Sequence, residues 1–422
     1  MTIPSDLLAG KKILLGTTGS IAVYKSLELV RLFVKAGAEV KVVMSDASKK
    51  FVAPLSFETL SRNRVLDEAS ESWADDHNHI QTAEWADLFV IAPCTANTIA
   101  KLANGIADNM LTQTALAFPG PKIIAPSANT HMIHNPIIQA ALKMLRVADY
   151  ELVATQTKEL ACQTTGDGAM AEPLEIFWHA SRALLKTPFW EDRRVIVTGG
   201  GTVEKIDDVR SLTNFSSGKM ASALAAALFL KGADVNLIAT RRDSDLPAIM
   251  HRIDVTASEE MAEYLRDSVR IAKKGKMSRP SLTTDEPMQL IQKTPYLFMA
   301  AAVSDYVPAH PQNGKLKKSV LGNTWNLELV QNRDLLCELD KEGIRTVAFK
   351  AEMDPETAAA NAAALIETKG VDAVCLNLLK GSESFGTDDN QIDFITPSGS
   401  VALPRAGKMA LALQLLEHAE AL

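Results

Sequence analysis

The feature that most constrains this chain is a local pattern that occurs twice. KKILLGTTGSIAVYK, residues 11–25, runs from an apolar segment through a glycine-bearing turn into a helix-like stretch. RRVIVTGGGT, residues 193–202, opens the same succession again. A buried strand, a tight glycine turn and a helix together present backbone N–H groups to an anion. Neither turn has the G-x-G-x-x-G spacing of a dinucleotide site.

The periods between these landmarks keep alternating. Residues 11–17 read as a strand, residues 21–36 as a helix with Gly37 at its cap, and EVKVVMS as the next strand. ADLFVIAP is a nearly unbroken apolar run, as expected for a parallel strand covered on both faces. ANTIAKLANGIADNMLTQTALA reads as one helix and PKIIAPSA as a strand. After the helix-like IFWHASRALLK comes the short polar link TPFWEDRR, and the pattern restarts. SSGKMASALAAALFLKGADVNLIAT gives a helix from near Ser216, then a strand; PYLFMAAAVSDY, TVAFKAE and VDAVCLNLL add strands. The fold class is therefore α/β, with two doubly wound domains. The boundary falls near residues 187–192, giving domains 1–190 and 191–422 without residue-level repetition. AKKGKMSRPSLTTDEP, residues 272–287, is expected to be an irregular surface insertion.

Bulk properties narrow the partners. A net charge of −7 over 422 residues argues against a general nucleic-acid binder or a polybasic membrane anchor. No apolar run reaches the length of a membrane span, and MTIPSDLLAGKK lacks a signal-peptide core. Cys94, Cys162, Cys337 and Cys375 are isolated, so neither a disulfide framework nor a zinc site is indicated. The expected compartment is the reducing cytoplasm.

Four stretches of the first half share one expected place, the carboxyl ends of parallel strands, where open α/β sheets bind ligands. They are Gly19-Ser20, Ser45, APCTANT with Thr95, Ala96, Asn97 and Thr98, and PSANTHM with Asn129. Each alone reads better as helix caps and turns. Together their hydroxyls and turn N–H groups form a neutral nest suited to a monophosphate, pointing to a mononucleotide such as FMN. In the second half, Ser216-Ser217-Gly218 is placed at a helix N-terminus as an anion site. Asp305 is expected at the end of the strand AAAVSDY, followed by a loop carrying Lys315, Lys317 and Lys318, point charges able to fold onto a triphosphate. A solvated charged loop is the alternative.

GSIAVYK, the His79-Ile80 pair, APCTANTIAKLANGIADN, PSANTHM and ACQTTGDGAMAEP stand in the order found in the flavin-dependent cysteine decarboxylases. With the second half included, nearly the whole chain resembles the family that fuses phosphopantothenoylcysteine decarboxylase to phosphopantothenate–cysteine ligase in coenzyme A biosynthesis. The resemblance implies a flavodoxin-like or Rossmann-like FMN domain followed by a Rossmann-like nucleotide-binding domain. It implies His79 as base, Asn129 on the substrate carboxylate and Cys162 as the donor of the final proton, a role a tunable thiol can fill. Taken alone, Cys162 reads as a small buried hydrophobe. His77 is the competing base; His131 and His134 read as surface histidines.

For the ligase the resemblance implies CTP as co-substrate with Mg2+, an acyl-cytidylate, and attack by the amine of cysteine. Asn214 would contact the acyl intermediate and Lys315 would serve the amine attack or close the site. Ala301, Asp305, Asn332, Arg333, Asp334, Leu335, Phe349 and Lys369 would line the CTP site. No metal-ligating residue is singled out. The family assembles through trimeric decarboxylase and dimeric ligase domains, implying a homo-oligomer, a dodecamer.

The chain departs from the family at Ala128 (Met there), Gln163 (Gly), Ala169 (Arg), Cys94 (Ala), Asp208 and Arg333 (Pro), and near Ala363 and Leu365, where a second lysine is usual. These positions bear on substrate grip and on the preference for CTP over ATP. Two rivals are a nicotinamide-dependent oxidoreductase and a noncatalytic flavin-binding regulator.

Overall fold

The computed structural model describes residues 1–75, 77–159, 165–278, 280–282, 287–379, 381 and 386–422. Two compact units emerge: Ile3–Leu185 with Ser278–Gln289, and Met1–Thr2 with Lys186–Met277 and Leu290–Leu422. Among the described residues no helix is long and apolar enough to cross a membrane.

The first unit is built on β1 (Lys12–Thr17), α1 (Val23–Lys35), β2 (Glu39–Met44), α2 (Pro54–Ser61), α3 (His79–Trp85), β3 (Leu88–Cys94), α4 (Ala96–Ala103), α5 (Met110–Ala117), β4 (Lys122–Pro126), α6 (Thr130–Ile133), α7 (Pro136–Val147) and β5 (Tyr150–Leu152). A hairpin, β6 (Gln156–Glu159) and β7 (Thr165–Ala169), precedes α8 (Pro173–Leu185). The main sheet has the order β2-β1-β3-β4-β5, parallel throughout, the flavodoxin-like arrangement. Its centre is β3, buried at every residue, which is why LFVIAPC carries no polar alternation. The order reverses between β1 and β3, so the loops after these strands part and leave a crevice.

Residues 96–117 form two helices rather than one. Gly105 takes a left-handed φ of 66° and ends the first. Asn109 starts the second with a capping box, accepting from the Thr112 N–H at 3.0 Å while its own N–H reaches Thr112 Oγ1 at 3.3 Å.

The second unit contains β8 (Arg194–Gly199), a hairpin of β9 (Val203–Lys205) and β10 (Ser211–Thr213), α9 (Lys219–Leu230), β11 (Asp234–Ala239), β12 (His251–Asp254), α10 (Ser258–Ala272), β13 (Lys276–Met277), β14 (Leu290–Ile291) and β15 (Tyr296–Met299). It continues with β16 (Tyr306–Pro308), α11 (Lys318–Leu321), β17 (Leu329–Gln331), α12 (Leu335–Glu338), β18 (Arg345–Glu352), α13 (Ala358–Lys369), β19 (Ala373–Leu378), β20 (Asp389–Thr396), β21 (Gly399–Gly407) and α14 (Lys408–Ala419). The eight-stranded sheet runs β12-β11-β8-β15-β18-β19-β20-β21, parallel through β19 and antiparallel for the last two. Pro404 is tolerated in β21 because that strand is the sheet's edge.

Three further local expectations change. The helix expected from Ser216 starts at Lys219, because Gly218 turns the chain with a φ of 71° and a side chain there would meet the Arg241 carbonyl at 2.0 Å. The strand expected through Asp305 stops at Met299; Asp305 stands exposed in the loop before β16. The segment 272–287 is partly regular, since β13 pairs with β14 around it. Its later part belongs to the first unit, where Leu282 N–H donates to the Val147 carbonyl at 2.7 Å.

Candidate functional site

The carboxyl ends of β1, β2, β3 and β4 open into one cavity of about 1240 Å³. Gly19, Ser20, Ser45, Thr95, Ala96, Asn97, Thr98 and Asn129 all lie in its wall. The sequence pattern thus brings together eight residues spread over more than a hundred positions. Each is held by its own local structure. Thr95 caps α4, accepting from Thr98 N–H at 3.4 Å, while its own N–H donates to Thr18 Oγ1 at 3.0 Å. Thr18 Oγ1 donates in turn to the Pro93 carbonyl at 2.8 Å, tying the β1 turn to the end of β3. Ser20 and Ser127 share a hydroxyl–hydroxyl bond of 2.9 Å, tying it to the end of β4. Asn129 caps α6 by accepting from His131 N–H at 2.9 Å.

One observation marks this cavity as a ligand cradle. Ser45 Oγ is buried with no hydrogen-bond partner, and it lies in the cavity wall. A buried unsatisfied hydroxyl costs free energy unless a ligand atom meets it. Gly19 fits where a side chain would not, since a Cβ would stand 2.6 Å from Ala47 Cβ.

The far wall is β7. Ala128 N–H donates to the Gly168 carbonyl at 3.0 Å, and a Cβ on Gly168 would lie 1.9 Å from the Ala128 carbonyl oxygen. His134 Nε2 meets Asp167 Oδ2 at 2.6 Å on the same strand. Lys25 donates to Glu172 at 3.0 Å, and Lys158 pairs with the same carboxylate. Burial pushes the Glu172 carboxyl up, but the two ammonium groups outweigh it and hold it below the usual range. Thr18, Ser127, Lys25, Lys158 and Glu172 also line the cavity and were not singled out by sequence. Thr18 and Ser127 sit inside the quoted motifs GTTGS and PSANTHM, so motif membership was the available signal.

His79 stands apart from that wall. It opens α3, its Nδ1 is 2.9 Å from Glu71 Oε1, and its ring meets Trp73 edge-on at 5.6 Å. The Glu71 contact fixes ring orientation and leaves Nε2 as the basic atom. Cys162 and Gln163 lie outside the described residues. Cys94 is fully buried, and burial pushes its thiol far up, so it acts as a core hydrophobe.

In the second unit the ends of β8 and β15 converge. Gly201 bridges Ala302, and Ala301 N–H donates to Thr198 Oγ1 at 3.2 Å. Asn214 Nδ2 lies 3.4 and 3.3 Å from the carbonyls of Ala302 and Val303. Asn332 joins them: its N–H donates to the Asp305 carbonyl at 2.8 Å and its Nδ2 to the Ser304 carbonyl at 2.8 Å. Asn214, Ala301, Asp305 and Asn332 are therefore one constellation. Arg333 turns toward Glu259 and Glu338, at 3.1 and 3.8 Å. Asp334 pairs with Lys369 and caps α12; burial raises its carboxyl, and Lys369 with Cys337 N–H lowers it further. Leu335 is buried, Phe349 is half-buried on β18, and Lys315 is exposed. Among the described residues no cluster of His, Cys, Asp and Glu could hold a metal ion.

Residues 1–182 match the Flavoprotein family, and residues 190–274 with 282–422 match the DNA/pantothenate metabolism flavoprotein C-terminal domain. The chain thus joins a flavoprotein domain to a pantothenate-metabolism domain. It is 35% identical over 411 residues to the coenzyme A biosynthesis bifunctional protein CoaBC of Vibrio cholerae, covering 96% of each chain. It is 34% identical over 423 residues to CoaBC of Bacillus subtilis, covering 99% of this chain and 98% of that one. Among solved structures it resembles the FMN binding protein AtHal3, with 35% identity, a TM-score of 0.36, and 40% of this chain and 92% of that chain covered. The chain belongs to the CoaBC family of bifunctional coenzyme A biosynthesis proteins.

Proposed function

We propose that this chain carries out two consecutive steps of coenzyme A biosynthesis, with residues 1–190 as the decarboxylase and residues 191–422 as the ligase. The ligase joins 4'-phosphopantothenate to cysteine, and the decarboxylase converts the product to 4'-phosphopantetheine. The single observation that carries the first assignment is the convergence of Gly19, Ser20, Ser45, Thr95–Thr98 and Asn129 on one cavity. This set fits FMN: a hydroxyl and N–H nest for the phosphate and an unsatisfied Ser45 hydroxyl. Bound there, FMN supplies the hydride acceptor that makes the thiol-bearing carbon an electron sink.

The protein's own groups do the rest. The Asn129 amide orients the substrate carboxylate without an ion pair that would hold its charge back. His79 is assigned as the base on the family resemblance, since it lies outside the wall of this cavity; Nε2 is its basic atom, with Glu71 steadying Nδ1 at 2.9 Å. Cys162 returns a proton to the product carbon.

In the ligase unit, CTP activates the acid as an acyl-cytidylate with loss of pyrophosphate, and the amine of cysteine then displaces CMP. Asn214, Ala301, Asp305 and Asn332 hold nucleotide and acyl group at the ends of β8 and β15. Lys315 stabilises negative charge during the amine attack. Mg2+ neutralises the phosphates when bound. Arg333, Asp334, Leu335, Phe349 and Lys369 complete the nucleotide side. The assembly is a cytoplasmic homo-oligomer, a dodecamer of first-unit trimers and second-unit dimers.

The test is incubation of the purified protein with 4'-phosphopantothenate, cysteine and Mg2+, adding CTP or ATP in separate reactions, with mass detection. The ligated thiol acid should form with CTP and then lose CO2. A colourless protein that takes up no FMN and forms neither product would overturn the reading.

A further inference from the structure

The loop that carries Lys315 is tied down residue by residue. We propose that Asp207 and Asp208 are positioning residues for the ligation step, holding residues 312–317 against the turn between β9 and β10. The proposal rests on the reading of Lys315 given above.

Asp207 is buried, and its carboxylate is fully used. Oδ1 accepts from the N–H groups of Val209 at 2.8 Å and Arg210 at 2.7 Å, which shapes the turn itself. Oδ2 accepts from Leu316 N–H at 3.1 Å, in the lysine loop, and meets the Arg210 guanidinium at 2.7 Å. Burial pushes this carboxyl up, but the N–H groups of Val209, Leu316 and Arg210 and the guanidinium pull it down to about 2. It stays an ionised acceptor at any working pH.

Asp208 grips the other side of the lysine. Its Oδ2 accepts from Gly314 N–H at 2.5 Å, and its own N–H donates to the Gly314 carbonyl at 3.3 Å. Both backbone groups of Gly314 thus go to one residue. Gly314 takes a φ of 78°, a conformation that suits glycine and lets the loop reverse there. Lys205 braces the pair, lying 2.6 Å from Asp208 Oδ1 and 3.1 Å from Asn313 Oδ1. Gln312 N–H donates to the Ile206 carbonyl at 2.9 Å, and Arg210 Nη2 to the Leu316 carbonyl at 2.6 Å.

The residues immediately before and after Lys315 are therefore fixed, while Lys315 itself is exposed. A lysine on a wandering loop loses backbone entropy when it docks on a phosphate; one on a fastened loop has only its side chain left to order. The acidic pair contributes through Lys315, not by touching substrate. Proline at position 208 would offer neither the N–H nor the carboxylate with which Asp208 holds Gly314.

The test uses full-length Asp208→Ala, Asp208→Asn and Lys315→Ala proteins, with melting curves to confirm folding. Limited trypsin cleavage after Lys315, located by mass, reads loop fastening independently of activity. Asp208→Ala should speed that cleavage by about fivefold or more, Asp208→Asn less because it keeps an acceptor for Gly314. Ligation kcat should fall in the same order with the KM for nucleotide little changed, while decarboxylation of supplied thiol acid is unaltered. Cleavage equal to that of the unaltered protein overturns the fastening. Faster cleavage with undiminished ligation overturns the positioning role. If Lys315→Ala ligates normally while Asp208→Ala loosens the loop, the reading of Lys315 fails instead.

Discussion

Ser20 and Ser127 stand 2.9 Å apart, hydroxyl to hydroxyl, and join the turn after the first strand to the end of the fourth across 107 residues of sequence. Both line the large cavity. One such bond contributes about 1 kcal/mol net. Ser20→Ala should therefore weaken FMN binding about fivefold, measured by fluorescence titration of the flavin-free protein, and Ser20→Thr should weaken it less. Equal affinity in Ser20→Ala would separate this pair from flavin binding.

Gly168 tolerates no side chain. Its Cβ would meet a backbone carbonyl at 1.9 Å, and a backbone atom cannot swing aside as a flexible side chain can. Gly168→Ala should push β7 from the Ala128 loop and cost about 1–3 kcal/mol, the range for overpacking. A lowered melting temperature with reduced flavin retention is expected; an unchanged melting curve would refute the contact.

His179 is buried on α8 between Glu151, paired at Nδ1, and Glu175, 3.5 Å from Nε2. Burial pushes its pKa down, but the two carboxylates push it up more, to about 9. The folded state therefore holds the proton more tightly than the unfolded chain. That stabilisation is complete below pH about 6.5 and disappears as pH rises through about 9. The difference corresponds to about 3 kcal/mol. The first unit's melting temperature should fall between pH 7 and pH 10, and His179→Gln should remove most of that slope. A flat profile in the unaltered protein would sink this account.

Cys162→Ser should bind flavin normally yet stop complete turnover, because a serine hydroxyl is a far weaker acid than a thiol. Retained colour with loss of 4'-phosphopantetheine, followed by mass spectrometry, is the expected result. Unimpaired turnover would remove Cys162 as proton donor.

Much of the first unit was legible because its strands are buried on both faces. LFVIAPC cannot be read as anything but an inner strand or a buried helix, and its flanks decide for the strand. The cavity residues were legible for a related reason: strand ends in a doubly wound sheet gather at one edge. The break at Gly105 was missed because the apolar period continues across it. The last strand was missed because VALPRAG contains Pro404, a demerit everywhere except at a sheet edge. His179 with Glu151, and Asp208 with Gly314, were invisible for want of any local signal: each pair is set by tertiary approach alone.

Every residue of α9 from Ala221 to Leu230 is buried, leaving that helix no water-facing side. It lies against α14, and Tyr296 Oη donates to the Ala419 carbonyl at 3.0 Å nearby. A helix apolar all round cannot persist until its neighbours cover it. As the ribosome delivers this polypeptide, α9 must wait for α14, nearly two hundred residues later, so nascent chains of that half are exposed to aggregation until α14 has emerged.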